Sequence, residues 1–340
     1  MSCFLNVAVI GAGLAGLSCA TALQAAGYRV TVFEKSLGPA GRMSTRRGEG
    51  WQCDHGAQYF TARSGAFSAE LARWVDAGVA KVWAPRLAVL GDATLHRADA
   101  ALQRYVGMPQ MTAPAHWLAS ALSTPLKTGM PIERLQRVGS AWRLQVGAAL
   151  LDDDFDAVLL ALPAPQAAAL LQDCAPALAQ QAAAVPMRPS WALMLNYCAP
   201  LELGFDAAFV NQGPLRWVAR NSSKPGRSGA ESWLLHAQAE WSEARLHLPA
   251  EPVAAALQAA FAALGAPPAE RWSAHRWLYA DMAAPHGGPA ARSIWDQALG
   301  LGLCGDWLGA GKVEGAWLSG QGLAQQLPAA AGRAIAAAAS

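Results

Sequence analysis

The chain has 340 residues, of which 53% are hydrophobic and 15% charged; this exceeds one ordinary hydrophobic core and predicts two well-buried domains. Its 26 basic and 24 acidic residues leave a net charge of +2 spread along the sequence, which excludes the basic footprint of a nucleic-acid-binding protein. The six cysteines form no C-x-x-C pair, so neither a disulfide framework nor a zinc site is expected, and we predict no metal.

Neither end of the sequence predicts a membrane or export signal. The N-terminus has no basic region before its first apolar run, and the alanine-rich stretch 328–340 is too short and small-sided to span a bilayer. We therefore expect a cytoplasmic protein with no membrane partner.

The first elements of the chain predict a dinucleotide-binding unit. The apolar run "NVAVI" is followed at once by "GAGLAG", a helical pattern up to Gly27, and a second strand that ends at Glu34. In such a unit the first glycine forms the tight turn, the second admits the pyrophosphate and the third allows close packing. The helix N-terminus faces the phosphates. The residues predicted to hold them are Gly11, Ala12, Gly13, Leu14, Ala15 and Gly16.

Two further stretches favour FAD over NAD. Glu34 accepts from ribose hydroxyls and repels a 2′-phosphate, which disfavours NADP. A glycine-containing cationic loop, "KSLGPAGRMSTRR", replaces the crossover helix expected in an NAD dehydrogenase. Near the C-terminus a strand over 299–304 leads to Asp306, whose carboxylate suits ribityl hydroxyls. A helix that begins at Val313 and Glu314 is predicted to place its positive end against the flavin pyrimidine edge.

The motifs in combination resemble a known family. The fingerprint, the G-x-x-G-R-x-S/T loop, "DHGAQYF" (residues 54–60, called the DHGAQYF segment) and "GDW…VEGAWLSG" are similar to the flavin-dependent amine oxidase superfamily. Within it, "HGAQYFTAR", "RWVARNSSKPGR", "WLLHAQAEWS" and "HRWLYA" resemble the bacterial renalase-like proteins. The resemblance implies an α/β fold: a Rossmann-like FAD-binding domain of the glutathione-reductase type, with a smaller α+β substrate domain built on an antiparallel sheet.

Both domains are predicted to be discontinuous. Residues 1–80, 111–185 and 271–340 are assigned to the FAD-binding domain. Residues 81–110 and 186–270, which are rich in tryptophan and in alternating patterns, are assigned to the substrate domain.

The resemblance also implies site residues. Gln58 is expected to hydrogen-bond the flavin edge, while Tyr59 and Phe60 wall the substrate cavity. The further cofactor-binding residues it implies are Lys35, Gly41, Arg42, Met43, Gly56, Ala57 and Met130. The catalytic candidates are Gln58, Tyr59 and His236, and His55 is assigned a structural role. The substrate-binding candidates are Phe60, Trp217, Asn221, Ser222, Lys224, Arg227, Trp233 and His236.

Several of these assignments have an alternative. Core packing is as good an interpretation of Phe60, and a better one of Trp233. The stretch "RNSSKPGR" reads as a turn between two strands. Lys224 and Arg227 are therefore expected either to be solvated or to bind the pyrophosphate of a dinucleotide substrate.

The function that the resemblance implies is oxidation of isomeric dihydro-NAD(P), with the hydride at ring position 2 or 6, to NAD(P)+, with oxygen reduced to hydrogen peroxide. No H-E-x-x-H, G-x-S-x-G or second G-x-G-x-x-G occurs, and "GDWLGAGKVEG" has no cysteine to tether a flavin. The FAD is therefore expected to be non-covalent. The alternatives are an amine oxidase or desaturase, a non-redox flavin isomerase and a non-catalytic flavin-binding protein.

Overall fold

The structure is a computed structural model that describes residues 6–92, 99, 102–282, 293–309 and 311–328. Its strands, in chain order, are β1 (Asn6–Ile10), β2 (Arg29–Phe33), β3 (Thr45–Gly48), β4 (Trp51–Asp54), β5 (Ala80–Val82), β6 (Leu87–Gly91), β7 (Tyr105–Gly107), β8 (Arg134–Val138), β9 (Ala141–Val146), β10 (Ala149–Leu150), β11 (Ala157–Leu160), β12 (Met187–Tyr197), β13 (Ala207–Gln212), β14 (Leu215–Arg220), β15 (Glu231–Ala237), β16 (Arg271–Met282), β17 (Ser293–Asp296) and β18 (Leu301–Cys304).

The α-helices are α1 (Leu14–Ala25), α2 (Gly65–Asp76), α3 (Ala113–Ser120), α4 (Ala164–Leu171), α5 (Pro176–Ala183), α6 (Ala239–Glu243), α7 (Ala250–Ala262) and α8 (Lys312–Gln326). Short 3-10 turns occur at Gly41–Met43, Asn221–Ser223 and Asp306–Leu308. None of the helices in the described ranges is both long and apolar enough to cross a membrane.

The chain divides into two compact units. The first consists of Met1–Gly41, Ala115–Pro186 and Met282–Ser340, and the second of Arg42–Pro114 and Met187–Asp281. The division differs from the predicted one because Pro186 belongs to the first unit and residues 42–80, 111–114 and 271–281 belong to the second. There β4 packs on β15, with the Ser232 hydroxyl donating to the Gln52 carbonyl at 3.1 Å, and β16 completes the sheet.

The first unit contains a five-stranded sheet in the order β17-β18-β11-β1-β2. Strands β2, β1, β11 and β18 are parallel, and only the edge strand β17 is antiparallel to its neighbour. Residues Val7–Ile10 and Ala157–Leu160 are fully buried, as in a parallel sheet covered on both faces. The carboxyl ends of β1, β11 and β18 therefore meet at one edge, where open α/β sheets bind their ligands.

The second unit contains a six-stranded sheet in the order β16-β12-β15-β14-β13-β6. Alternation along the strands gives it two different faces. Leu193, Leu195 and Leu235 belong to a core that includes Leu257 of α7. The intervening residues Ala192, Met194 and Leu234 pack with Cys53 of the β3–β4 hairpin instead. The second face is the one that carries the DHGAQYF segment.

Candidate functional site

The fingerprint glycines have the geometry of a pyrophosphate cradle. Gly11 has φ +103°, and a Cβ there would lie 2.6 Å from the Ala161 carbonyl. A Cβ on Gly16 would lie 2.0 Å from the Gly11 carbonyl. A Cβ on Gly13 would meet nothing within 4 Å, and α1 has neither a side-chain cap nor an acidic residue in its first turn. Gly11 and Gly16 thus pack closely against the backbone, whereas the space beside Gly13 at the helix N-terminus is free. A bound phosphate fits this arrangement.

Glu34 lies where the nucleotide half of a dinucleotide requires an acceptor. It is 6% exposed, and its carboxylate accepts from the backbone N–H of Ala12 and of Ser36, both at 2.8 Å. A carboxylate offers about four acceptor positions, so two remain for ribose hydroxyls. Met130 lies beside it, since its backbone N–H donates to the Glu34 carbonyl at 2.9 Å.

The other predicted cofactor residues of the first unit are placed as follows. Leu14 and Ala15 are buried in the first turn of α1, Lys35 is exposed, and a Cβ on Gly41 would lie 3.3 Å from the Cα of Gly13. Asp306, 8% exposed, lies two residues after the end of β18, at the same sheet edge as the fingerprint. Val313 and Glu314 are in the first turn of α8.

In the second unit, the DHGAQYF segment is fixed by its own side chains. The Gln58 amide donates to the carbonyls of Asp54 and Gly56 at 2.8 and 3.0 Å, and its oxygen accepts from Lys224 Nζ at 3.1 Å. Gln58 is 7% exposed and holds the turn, and one acceptor position of its side-chain oxygen remains for the predicted hydrogen bond to the flavin edge, which stays a prediction. A Cβ on Gly56 would lie 2.0 Å from the Arg42 carbonyl, so the close approach that requires glycine is to this backbone.

His236 also holds the segment from the sheet below. Its Nε2 lies 3.0 Å from the His55 carbonyl oxygen, which also accepts from Trp277 Nε1 at 2.9 Å. His55 stacks on Trp277 at 5.1 Å between ring centroids and meets His275 edge-on at 4.9 Å. The structural role predicted for His55 fits this packing, while the imidazole of His236 acts as a support for the turn.

These three imidazoles have depressed pKa values. Burial, together with His275 and Arg46, lowers the pKa of His55 to about 3. Burial also lowers the pKa of His236 to about 4. Burial, with Arg46 beside it, lowers the pKa of His275 to about 4. All three are neutral at pH 7, which leaves the His236 Nε2–H free to donate to a carbonyl.

Lys224 and Arg227 are not on a solvated loop. Both cations bind Asp54, Lys224 Nζ at 3.1 Å and Arg227 through Nη2, and the exposed fractions of the three side chains are 0–1%. Asp54 also accepts from the Thr45 hydroxyl at 2.7 Å and from the Met111 N–H at 3.2 Å. Both predicted roles, solvated tip and pyrophosphate site, are therefore wrong for these two side chains. Two cations against one carboxylate leave this cluster with a buried excess of positive charge.

The cluster is arranged so that Asp54 stays ionised. Burial alone raises the pKa of a carboxyl group, but Lys224 and Arg227 outweigh burial and hold the pKa of Asp54 well below its usual range. Burial lowers the pKa of Lys224, and Asp54 opposes that effect. Lys224 Nζ also lies 5.5 Å from the Trp83 ring centroid. This cation–π contact stabilises the buried ammonium group.

The packing of four further substrate-binding candidates favours a structural role, which for Phe60 and Trp233 is the alternative that the sequence already offered. Phe60 is 3% exposed and packs on Trp74. Trp233 is fully buried on the α7 face of the sheet, because residues of odd and even number along β15 point to opposite faces. Asn221 bonds the Asp54 backbone N–H at 3.1 Å and the Gln52 carbonyl. Ser222 donates to Glu231 at 2.5 Å.

Tyr59 and Trp217 do lie together. Their ring centroids are 5.6 Å apart; Tyr59 is half-buried, and Trp217 is 6% exposed. Trp217 pairs with His236 across β14 and β15, which places it on the hairpin face. Sequence reasoning missed Arg104, whose guanidinium lies 5.4 Å from the Tyr59 ring centroid. A lone arginine before a short strand gives no local signal of this contact.

Comparison with known proteins locates the nucleotide-binding part first. Residues 9–74 match the model of the NAD(P)-binding Rossmann-like domain. An L-amino-acid oxidase of Siganus canaliculatus is 48% identical over 54 residues, 15% of this chain and 10% of that protein. The bifunctional tRNA-modifying protein MnmC of Magnetococcus marinus is 32% identical over 158 residues, 42% of this chain and 22% of that protein. The chain thus spans less than a quarter of the length of the curated relatives it matches.

Solved structures share the fold over nearly the whole chain. A putative protoporphyrinogen oxidase from Exiguobacterium sp. 255-15 superposes with a TM-score of 0.73 and 12% identity, over 94% of this chain and 98% of that one. Cyclohexylamine oxidase from Brevibacterium oxydans superposes with a TM-score of 0.70 and 15% identity, over 95% and 98%. The predicted fold class is confirmed.

Proposed function

We propose that the chain is an FAD-dependent oxidoreductase that oxidises isomeric dihydro-NAD(P) to NAD(P)+ and reduces oxygen to hydrogen peroxide. The overall reaction balances as dihydro-NAD(P) + H⁺ + O₂ giving NAD(P)+ + H₂O₂. The first unit supports the cofactor part of the proposal, because Gly13 leaves room for a pyrophosphate and Glu34 keeps two acceptor positions for a ribose. Bound FAD supplies the hydride acceptor and passes the electron pair to oxygen.

The charge of the second unit is the observation that carries the choice of substrate. Among its described residues, the buried carboxylates are Asp54, Glu70 and Glu231. Glu70 binds Arg73, Glu231 binds Arg220, and Asp54 faces two cations. In the part of the second unit that the structure describes, no buried carboxylate is therefore left to receive an ammonium group, and the surplus charge is positive. A substrate with a neutral reacting ring and an anionic tail suits this environment better than an amine.

The residues of the second unit position the substrate ring and exclude water. None of them has to transfer a proton. A dihydropyridine releases hydride with the help of its own ring nitrogen, so it requires no protein base. Tyr59 and Trp217 supply flat apolar surface on which such a ring can lie. The neutral imidazole of His236 holds the adjoining backbone and that of His55 packs on Trp277, and their low pKa values keep both out of acid–base catalysis at pH 7.

Amine oxidation is the second candidate, because the solved structures of similar fold include cyclohexylamine oxidase and a putrescine oxidase bound to putrescine. Oxygen uptake by the purified protein separates the two candidates. We expect borohydride-treated NAD+ to support uptake, with NAD+ and hydrogen peroxide formed one to one. Putrescine and cyclohexylamine should support none. Uptake with the amines alone would contradict the proposed substrate and leave the flavin enzyme standing.

A further inference from the structure

Three side chains of the second unit meet outside the Asp54 cluster. The Arg104 guanidinium lies 5.4 Å from the centroid of the Tyr59 ring, and the Trp217 ring lies 5.6 Å from it. Arg104 and Trp217 are 7% and 6% exposed, whereas Tyr59 is only half-buried. Tyr59 is thus the most exposed of the three side chains.

Arg104 is a buried cation whose acceptors, among the described residues, are backbone carbonyls. Its Nη1 donates to the carbonyls of Asp99 and Leu102 at 3.2 and 3.0 Å, and its Nη2 to Asp99 at 3.2 Å. Its Nε is buried and has no acceptor among the residues that the structure describes, and no acidic side chain in those ranges forms an ion pair with it. A buried guanidinium of this kind is costly unless an anion or a strong acceptor completes it.

Trp217 has a second buried N–H donor, its Nε1, that lacks an acceptor among the described residues. The register of β14 shifts between Leu215 and Trp217 in both of its pairings, with β15 on one side and with β13 on the other. Such irregularities redirect side chains and are common beside binding sites.

We propose that Tyr59, Arg104 and Trp217 form a subsite for a planar ring that carries a carboxamide or carboxylate group. The ring stacks on Tyr59 once that side chain turns, and the substituent oxygen accepts from Arg104 Nε and Trp217 Nε1. An ammonium group is repelled by Arg104 and offers the indole N–H no acceptor. The subsite rests on the proposed function, in which the oxidised ring is a nicotinamide, and it assigns the carboxamide as the group that is recognised.

Ligand-observed NMR titrations of the purified flavin-loaded protein test this subsite. The probes are nicotinamide, nicotinate and pyridine, which share a ring and differ in the acceptor. The wild type should bind nicotinamide and nicotinate about tenfold more tightly than pyridine, the size expected for recovered buried hydrogen bonds. In Trp217→Phe and in Arg104→Lys this preference should fall to about twofold. Trp191→Phe, which removes a paired indole N–H on the opposite face of the sheet, should keep the preference.

If the wild type binds pyridine as tightly as nicotinamide, the subsite is overturned. A preference for nicotinamide that survives both substitutions would also overturn it. Either result is expected if a trapped water satisfies the two donors. Oxygen uptake with borohydride-treated NAD+ is measured on the same proteins. Uptake without an acceptor preference rejects the subsite and keeps the function. A preference that the two substitutions abolish, without uptake, keeps the subsite and rejects the function.

Discussion

Asp54 is the carboxylate that both buried cations of its cluster bind. It receives Lys224, Arg227 and the Thr45 hydroxyl with no exposed surface of its own. The sequence could not predict this arrangement, because Asp54 and Lys224 are 170 positions apart and the composition of "RNSSKPGR" is that of a surface turn. The signal that was available is a single acid at the end of the apolar strand β4, in a chain with few charges.

Asp54→Asn should destabilise the protein by about 3–5 kcal/mol, because it leaves two buried cations without a counter-charge. Denaturant unfolding measures the change. Arg86→Met, which removes the exposed partner of Asp206, is the control and should change stability far less. The double variant Asp54→Asn with Lys224→Met should regain part of the loss. An Asp54→Asn protein as stable as the control variant would show that the cluster is not an ion pair network in solution.

The depressed pKa values of His55, His236 and His275 predict a pH dependence of folding. The unfolded chain protonates these imidazoles near pH 6.5, whereas the native pKa values are about 3, 4 and 4. Between these limits the unfolded state binds more protons, so stability is full above about pH 6.5 and falls as the pH is lowered toward 4. Unfolding between pH 7 and 5 covers the range in which histidines, and not carboxylates, titrate in the unfolded chain.

His275→Asn should make this decline shallower between pH 7 and 5, and His247→Asn, at an exposed position, should leave it unchanged. Stability that is flat over this interval in the wild type would mean that the imidazoles are solvated and titrate normally in the native protein.

At the scale of elements, the sequence predicts correctly the features that depend on neighbouring residues. It does not by itself determine which face of a sheet a side chain occupies, or which distant residue that side chain contacts. The strand, glycine turn, helix and second strand of the fingerprint are present as β1, α1 and β2, and Gly27 does end α1 with φ +89°. Trp233 lies on the core face, as the favoured interpretation of the sequence had it, and not on the hairpin face, since a single step along β15 exchanges one face for the other. The contact between Arg104 and the Tyr59 ring joins residues 45 positions apart, so no local pattern predicts it.

Two glycine-to-alanine variants separate a structural turn from a ligand cradle. Gly13→Ala should unfold within about 0.5 kcal/mol of the wild type, because its Cβ meets nothing within 4 Å, yet bind much less flavin because the methyl group occupies the phosphate side. Gly56→Ala should lose about 1–3 kcal/mol, since its Cβ would lie 2.0 Å from the Arg42 carbonyl. Absorbance at the flavin band and denaturant unfolding give both quantities. Full flavin content in Gly13→Ala would contradict the assignment of the cradle.

At the scale of the whole molecule, the fold class was predictable because it follows from the fingerprint and the parallel strands, and the solved structures share it at 12–15% identity. The substrate was not predictable in the same way. Its choice depends on which charges are buried and which are paired, and those are properties of contacts between distant residues. The second unit therefore carries the specificity in this account, through positive charge and aromatic surface.

Anaerobic stopped-flow mixing tests this central claim most directly, since it isolates hydride transfer from the reaction with oxygen. The purified protein is mixed separately with the 2-, 4- and 6-dihydro isomers of NAD and with putrescine, and the flavin absorbance is followed. We predict rapid bleaching with the 2- or the 6-isomer, at a rate that saturates with concentration, and none with the 4-isomer or putrescine. Bleaching by putrescine with none by any dihydro isomer would contradict the account.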